Sequence, residues 1–179
     1  TQSREKPMKL AVLRIGTIDE EIVEKILKSL SEAFPEAECT LLESVMPIPK
    51  DAYNQTRHQY HSTHIMAKIA DYIENLNAYH VLGVTEVDLH VPWLNFVFGE
   101  AQPPERTALI SLHRLRPEFY GEQSNNQLFH ERALKEAVHE LGHTFGLEHC
   151  ENPLCVMFFS NSIGDTDRKM ANFCEDCHL

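Results

Sequence analysis

The chain has 179 residues, 42% of them hydrophobic and 24% charged, which is enough for one hydrophobic core and short for two full domains. Its formal net charge of −11 counts against binding to nucleic acid or to an anionic membrane surface, since both select a basic face. The sequence contains no apolar run near the ~18 residues of a membrane-spanning helix, and residues 1–7 contain no apolar signal core. We therefore expect a cytoplasmic monomer without nucleic-acid or membrane partners.

Predicted strands and helices alternate in the first half of the chain. An apolar, β-branched run predicts a buried strand over Met8–Ile15. Thr17 followed three residues later by Glu20 predicts a capping box, which opens a helix over residues 18–34. Further strands are expected at residues 37–45, 79–87, 96–99 and 107–115, and a second helix at residues 62–76. This alternation argues for an α/β (α+β) fold with a largely parallel sheet packed on helices.

One long helix is predicted over residues 126–147, and the chain after it is expected to be irregular. The change of character near Gly146 marks a boundary between subdomains rather than between independent domains. We expect a single domain over residues 1–179. Its N-terminal part, residues 8–146, would contain the sheet and the long helix, and its C-terminal part would cover residues 147–179.

His139, Glu140, His143, Gly146 and His149 form the motif HExxHxxGxxH at the end of this helix. Positions i and i+4 lie on one helical face, so His139 and His143 can offer their imidazoles to one metal ion. Glu140 can then reach a water on that ion without being a ligand itself. Gly146 takes a left-handed conformation at low cost, which turns the chain so that His149 faces back. Three histidines leave a fourth position open, as in a catalytic zinc site.

The length of the motif makes it specific. A bare HExxH arises by chance in about 7% of chains of this composition, and requiring Gly146 and His149 as well lowers this to about two in ten thousand. The alternative is a set of solvated or hydrogen-bonded helix histidines.

Four of the five cysteines lie within the last thirty residues: Cys150, Cys155, Cys174 and Cys177. An odd total fits poorly with a secreted disulfide framework, and in a reducing compartment such crowding indicates metal binding. Four thiolates in two close pairs suit a tetrahedral structural zinc, which would staple the tail to the end of the helix and fix where His149 points. Two disulfides or free buried thiols are the alternative. The fifth cysteine, Cys39, lies in a predicted strand and is most simply a core residue.

The stretch from His139 to Cys177 resembles the metzincin zinc peptidases, and within them the archaemetzincins, peptidase family M54. The resemblance rests on HExxHxxGxxH, on the cysteine directly after His149, on the Cys-x-Met of Cys155 and Met157 and on the terminal CxxC. It implies a metzincin-like twisted mixed sheet with a small zinc-stapled C-terminal subdomain. It also implies zinc-dependent hydrolysis of peptide bonds, which in some relatives is an aminopeptidase activity.

Carried over residue by residue, the resemblance implies two zinc ions per chain. The catalytic zinc would be held by His139, His143 and His149, with Glu140 as the general base. The structural zinc would be held by the four C-terminal cysteines. Met157 matches the methionine of the turn that forms an apolar floor beneath the histidines, the Met-turn.

The sequence departs from the family pattern in one spacing and from some metzincins in one side chain. Sixteen residues separate Met157 from Cys174, one fewer than in the family pattern, and a loop can absorb one deletion. Some metzincins have a tyrosine two residues beyond the methionine as an extra ligand or transition-state donor. This chain has Phe159 there, so such help must come from elsewhere or be missing.

Residues 93–102 (WLNFVFGEAQ) are flanked by prolines and are a candidate edge strand of the sheet. In related folds the substrate pairs as an extended strand with such an edge above the zinc. The alternative is an apolar edge that the chain itself covers.

A second histidine-rich stretch contains His58, His61 and His64. A spacing of three drifts around a helix by about 60° every two steps, so these side chains do not easily share one tight metal site. We interpret them as the solvated start of a helix.

The predicted function is therefore that of a zinc metallopeptidase that hydrolyses a peptide or protein substrate. The alternative from another class is a catalytically weak, zinc-stabilised protein-binding module on a metzincin scaffold. A zinc-finger-like nucleic-acid binder built on the four cysteines is disfavoured by the acidic net charge.

Overall fold

The computed structural model describes residues 7–73, 79–103 and 105–178. In chain order the described strands are β1 (Met8–Ile15), β2 (Ala37–Met46), β3 (Tyr53–Asn54), β4 (Gln59–His61), β5 (Tyr79–Thr85), β6 (Leu89–His90), β7 (Gly99–Ala101) and β8 (Thr107–Ser111). The α-helices are α1 (Glu20–Ala33), α2 (Ser62–Tyr72), α3 (Asn126–Thr144) and α4 (Ile163–Arg168). None of these helices combines the length and apolarity that crossing a membrane would require.

The central sheet has five strands in the order β2-β1-β5-β8-β7. The first four are parallel, and β7 runs antiparallel to β8 at the edge of the sheet. The short strands β3, β4 and β6 form a second, three-stranded sheet. The predicted mixed sheet packed on helices is confirmed.

Helices cover both faces of the central sheet. Leu10 and Val12 of β1 face a core shared with α1 and α3, whereas Ala11 and Leu13 face a core shared with α2. All four side chains are fully buried. Parallel strands buried on both faces give continuous apolar runs, which is why β1 is readable in the sequence.

The start of α1 differs from its prediction. The N-cap is Asp19, whose side chain accepts a hydrogen bond from the backbone N–H of Glu21, so the predicted capping box of Thr17 and Glu20 is wrong. Asp is as good an N-cap as Thr, and here it lies at the residue with extended backbone angles. The helix accordingly covers Glu20–Ala33, inside the predicted span.

Several other predicted boundaries shift. The predicted strand at 79–87 ends at Thr85, and the one at 107–115 ends at Ser111, after which His113–Leu115 form a 3₁₀ turn. The strand expected at 96–99 is instead β7, with one isolated bridge at Val97 before it. Helix α2 ends at Tyr72, and the last residues of its predicted span lie outside the described residues.

Helix α3 is shorter than predicted, whereas the tail after it contains more regular structure than predicted. Helix α3 stops at Thr144, three residues before the predicted end, because Gly146 adopts φ +93 just beyond it. The tail is not wholly irregular, since α4 forms within it. Val156 and Met157 of the tail are fully buried in the same core as α1 and α3.

Candidate active site

His139 and His143 lie one turn apart on α3 and share the same hydrogen-bonding pattern. The Nδ1–H of His139 donates to the carbonyl oxygen of Val156, and that of His143 donates to Leu147, both over 2.8 Å. A carbonyl only accepts, so each Nδ1 carries the hydrogen and each Nε2 keeps a free lone pair. This is the tautomer and the carbonyl support that metal-ligating histidines have.

The turn after α3 brings the third histidine to the other two. With Gly146 in the left-handed region, the backbone N–H of Leu147 bonds back to the carbonyl of Gly142 over 3.1 Å. The ring of His149 then lies 5.3 Å from that of His139 and 4.8 Å from that of His143, between centroids. One ring nitrogen from each histidine lies within 4.8 Å of the others. Three neutral imidazole nitrogens converging in this way fit a zinc ion.

The pKa values of all three histidines are lowered, which favours their neutral forms. Burial lowers the pKa of His139 well below its usual range, and the nearby ammonium of Lys169 acts in the same direction. Burial is also the main cause of the lowered pKa of His143 and of His149. Neutral imidazoles retain the lone pairs that a metal ion needs.

Glu140 is enclosed between α3 and the edge strand β7. Its side chain is 6% exposed, and its Cγ lies 3.0 Å from the point that a Cβ at Gly99 would occupy. Burial raises the pKa of Glu140 well above its usual range, and the Glu136 carboxylate adds to this, whereas Lys169 opposes it. A divalent cation beside the carboxylate would also oppose it.

A cleft of about 230 Å³ opens in front of Glu140. Residues 94–99 form one wall, Glu136, His139 and Glu140 form the base, and residues 159–161 form the other wall. The first wall belongs to the predicted edge segment 93–102, of which only Gly99–Ala101 pairs as a strand. In the described part of the chain, no strand pairs with the outer side of β7. The cleft therefore brings together one histidine of the cluster, a buried carboxylate and an open sheet edge.

Met157, the residue for which the Met-turn is predicted, packs against Gly142 of α3, one residue before His143. It is fully buried, and its Sδ packs so closely on Gly142 that a Cβ there would come within 2.5 Å of it. Phe159, two residues on, packs its ring 5.0 Å from that of His149, between centroids. Phe159 carries no hydroxyl, so it supports His149 by packing alone.

The four C-terminal cysteines form a second cluster. Their sulfur atoms all lie within 4.8 Å of one another, and none of the four is in a disulfide. The sulfurs of Cys150 and Cys174 are 3.8 Å apart, which is the edge of a tetrahedron with zinc–sulfur bonds of about 2.3 Å. A disulfide would need about 2.05 Å. The donor set and its spacing fit a four-thiolate zinc site. Cys39 lies apart, half-buried against the core, as predicted.

The other histidine-rich stretch does not form one helix start. His58 lies in a turn with φ 56, His61 ends β4, and only His64 lies in α2. The ring of His61 packs 5.5 Å from that of His90, between centroids. The metal-ligand groupings found among the described residues are the two clusters above, and the three histidines form no such grouping.

Two charged residues of the site were missed by the sequence reasoning. Glu136 lines the cleft one turn before Glu140, and the i, i+4 spacing of the two glutamates on α3 could have indicated this. Lys169 pairs with Glu136 from the far side, its Nζ 3.3 Å from Glu136 Oε1. No local pattern points to Lys169.

Known proteins resemble this chain along most of its length. The profile of peptidase family M54 matches residues 12–179. The archaemetzincin of Pyrococcus furiosus is 56% identical over 126 residues, which is 70% of this chain and 66% of that protein. The archaemetzincin of Methanocaldococcus jannaschii is 46% identical over 170 residues, covering 95% of this chain and 90% of that protein.

A solved structure agrees with this relationship. The archaemetzincin of Archaeoglobus fulgidus, in complex with malonate, superposes with a TM-score of 0.81 at 38% identity, over 95% of this chain and 98% of that one. The predicted family resemblance and fold are thereby confirmed, and the binding-module alternative is not favoured. The chain belongs to peptidase family M54, the archaemetzincins, and is a zinc metallopeptidase that acts on peptides or proteins.

Proposed function

We propose that this chain hydrolyses peptide bonds at one zinc held by His139, His143 and His149, with Glu140 as the general base. The observation that carries the proposal is the convergence of three histidine ring nitrogens within 4.8 Å, one of them from His139, which lines the same cleft as Glu140. Zinc bound there would lower the pKa of its water toward 7 and polarise the scissile carbonyl.

Glu140 is placed to move the protons of the reaction. It takes a proton from the attacking water and passes it to the leaving amine. Its enclosure supports this role, because a buried carboxylate holds a proton more readily than an exposed one. The close approach of Gly99 limits the conformations open to the Glu140 side chain, which keeps the carboxylate facing the cleft.

The substrate binds as an extended strand along the open edge of β7. The free backbone groups of that edge supply hydrogen bonds that do not depend on the substrate sequence. Leu94, Phe96 and Phe98 line the same wall of the cleft and offer apolar contact to a substrate side chain. Hydrolysis at an N-terminus and hydrolysis within a chain both fit this arrangement.

The four-thiolate cluster holds a second, structural zinc. Its role is to fix the tail, in which Cys150 follows His149 directly and Cys155 precedes Met157 by two residues. The backbone N–H of Cys150 also bonds the carbonyl of Met157 over 3.0 Å. A zinc on these thiolates would therefore secure His149 and the Met-turn together.

The domain organisation, partners and location that we propose rest on the core, the net charge and the free thiols. The shared core of the tail and the helices supports a single domain over residues 1–179, with a C-terminal subdomain at 147–179. The net charge of −11 supports a protein that binds neither nucleic acid nor anionic membranes. Four free thiols at a metal-like spacing support a reducing, cytoplasmic location. We propose a monomer.

The test is a peptide-library screen of the parent protein and of Glu140→Gln. The parent should cleave peptides, and comparison of free with blocked N-termini should separate an aminopeptidase from an endopeptidase. Glu140→Gln should keep the fold and the zinc content while kcat falls by about 10²- to 10⁴-fold. Glu131→Gln, at an exposed position of α3, is the matched control and should keep full activity. Undiminished turnover by Glu140→Gln would exclude Glu140 as the base.

A further inference from the structure

Lys169 is buried beside Glu136, directly after α4. The residue is 1% exposed, although it carries an ammonium group. Its Nζ lies 3.3 Å from Glu136 Oε1 and donates a hydrogen bond to the carbonyl oxygen of Phe158 over 3.1 Å. Burying an ammonium is costly unless it is paired, so both contacts are needed to hold it there.

Glu136 is the partner that faces the reaction. It is 3% exposed, lines the cleft, and lies one helical turn before Glu140 on the same face of α3. Its Oε1 also accepts a hydrogen bond from Thr166 Oγ1 over 2.9 Å. Without the ammonium of Lys169, two buried carboxylates would face one cleft and repel each other.

The hydrogen bond from Lys169 to the Phe158 carbonyl connects Lys169 to the metal site through the backbone. Phe158 directly follows Met157, and two residues before it is Val156, whose carbonyl accepts the Nδ1–H of His139. Lys169 therefore holds one end of the short segment that orients the first histidine. Its ammonium joins this segment to the glutamate on α3.

Anchoring of α4 does not require Lys169. Arg132 makes a two-pronged ion pair with Asp167, over 2.7 and 2.8 Å. The Nζ of Lys135 donates to the carbonyls of Thr166 and Asp167, over 3.1 and 3.3 Å. These contacts already fasten α4 to α3. If packing alone were needed at position 169, an apolar side chain would serve as well or better.

We propose that Lys169 is a positioning residue of the peptidase reaction, which neutralises Glu136 and fixes the Phe158 carbonyl so that Glu140 and His139 keep their reactive arrangement. The inference rests on the proposed function of Glu140 and the three histidines. It extends the site to a residue that neither lines the cleft nor belongs to the histidine cluster.

Four variants test this: Lys169→Met, Glu136→Gln, the double variant of both, and Lys135→Met as the matched control. Lys135→Met also removes a lysine that bonds α4, but one that contacts neither Glu136 nor Phe158. For each, kcat and KM are measured on a peptide that the parent cleaves. The zinc of the histidine site is titrated with a competing chelator, dipicolinate, with the thiolate-site zinc of the same chain as internal reference.

Lys169→Met should lower kcat by about 10- to 100-fold with little change in KM, and should release the histidine-site zinc at about tenfold lower chelator concentration. The double variant should recover most of kcat, because it leaves no unpaired buried charge. Glu136→Gln leaves the Lys169 ammonium buried with only the Phe158 carbonyl as partner, so it should also lower kcat, but by less than Lys169→Met. Lys135→Met should melt at a lower temperature but keep the kcat of the parent.

The proposal is overturned if Lys169→Met keeps both kcat and zinc retention, or if the double variant is no more active than Lys169→Met. If Lys169→Met does not fold, the comparison of the double variant with Glu136→Gln decides, because the double variant leaves no unpaired buried charge and should have the higher kcat. A kcat of the double variant below that of Glu136→Gln would then overturn the proposal. A parent that cleaves no peptide refutes the proposed function, and the chelator titration then still tests the inference.

Discussion

The Nδ1 atom of His139 lies 2.8 Å from the carbonyl oxygen of Val156, the residue just before Met157. This bond joins the first histidine, on α3, to the tail. The tail is in turn joined to the cysteine cluster, because the N–H of Cys150 bonds the Met157 carbonyl over 3.0 Å. The two candidate metal sites are thus connected through one short segment of backbone. Loss of zinc from one site should therefore weaken zinc binding at the other.

The first prediction concerns metal content. Reduced protein should contain two zinc ions per chain, and Cys177→Ser should lose the thiolate-site zinc. Burial and the neighbouring thiols raise the pKa of Cys177, so a bound cation is needed to stabilise its thiolate. The variant should also hold the histidine-site zinc more weakly, through the Met157 connection. Metal analysis and thiol titration measure both effects.

Cys39→Ala is the matched control for this experiment. Cys39 lies in β2 away from both clusters, so this variant should keep two zinc ions. A single zinc in the parent, or a disulfide in protein purified under reducing conditions, would remove the four-thiolate assignment.

The second prediction concerns the contact between β7 and Glu140. In Gly99→Ala the new Cβ would overlap the carbonyl oxygen of Leu109 and lie 3.0 Å from Glu140 Cγ, so the strand has to shift. We expect a loss of about 1–3 kcal/mol in the free energy of unfolding and at least about a tenfold fall in kcat. Urea denaturation and steady-state kinetics give the two values.

Gly164→Ala is the comparison variant for this contact. Gly164 lies in α4, where the nearest atom to a new Cβ is Ser162 Oγ at an ordinary 3.6 Å. It should be neutral or stabilising by about 0.5–1 kcal/mol, as for a glycine replaced by alanine within a helix. Equal effects of the two substitutions would show that the close approach of Gly99 to Glu140 has no consequence.

The third prediction concerns the start of α1. Asp19→Ala should lower the free energy of unfolding by about 1 kcal/mol, because the N–H of Glu21 loses its side-chain acceptor. Thr17→Ala should change it by a few tenths at most, since Thr17 lies outside the helix and is exposed. Urea denaturation of both variants measures these changes in the free energy of unfolding. A larger effect of Thr17→Ala would support the capping box instead.

The fourth prediction concerns the pH dependence of stability. Burial lowers the pKa of His80 to about 4, and the charge of Arg106 acts in the same direction. Thr144 Oγ1 donates to the Leu141 carbonyl, so the Nδ1–H of neutral His80 donates to Thr144 Oγ1, over 2.9 Å. Between pH 6.5 and 4 the unfolded chain binds a proton at His80 that the folded chain does not. The contribution of neutral His80 to the free energy of unfolding is therefore complete above pH 6.5 and is lost as the pH falls toward 4.

The measurement compares the parent with His80→Gln by urea denaturation at pH 7.5 and pH 5. On acidification the free energy of unfolding should fall by about 1 kcal/mol more in the parent than in the variant. This value allows for solvent screening, because His80 is only half-buried. A difference between the two proteins that stays constant with pH would contradict this.

The sequence by itself determined the family and the composition of the histidine site. His139, His143 and Gly146 are close in the chain, and helical geometry places the first two on one face whatever surrounds them. The apolar runs of the parallel strands were equally readable, because both faces of such strands are buried. Local geometry therefore carried most of the fold and the first metal cluster.

Only the tertiary structure decided the rest. The choice of Asp19 over Thr17 as N-cap depended on the extended backbone angles at Asp19, and the position of β7 depended on its pairing with β8. The ion pair of Lys169 with Glu136 joins residues that are 33 positions apart. Periodicity and spacing report the neighbours of a residue along the chain, whereas the partner of a buried charge is set by which elements pack against each other.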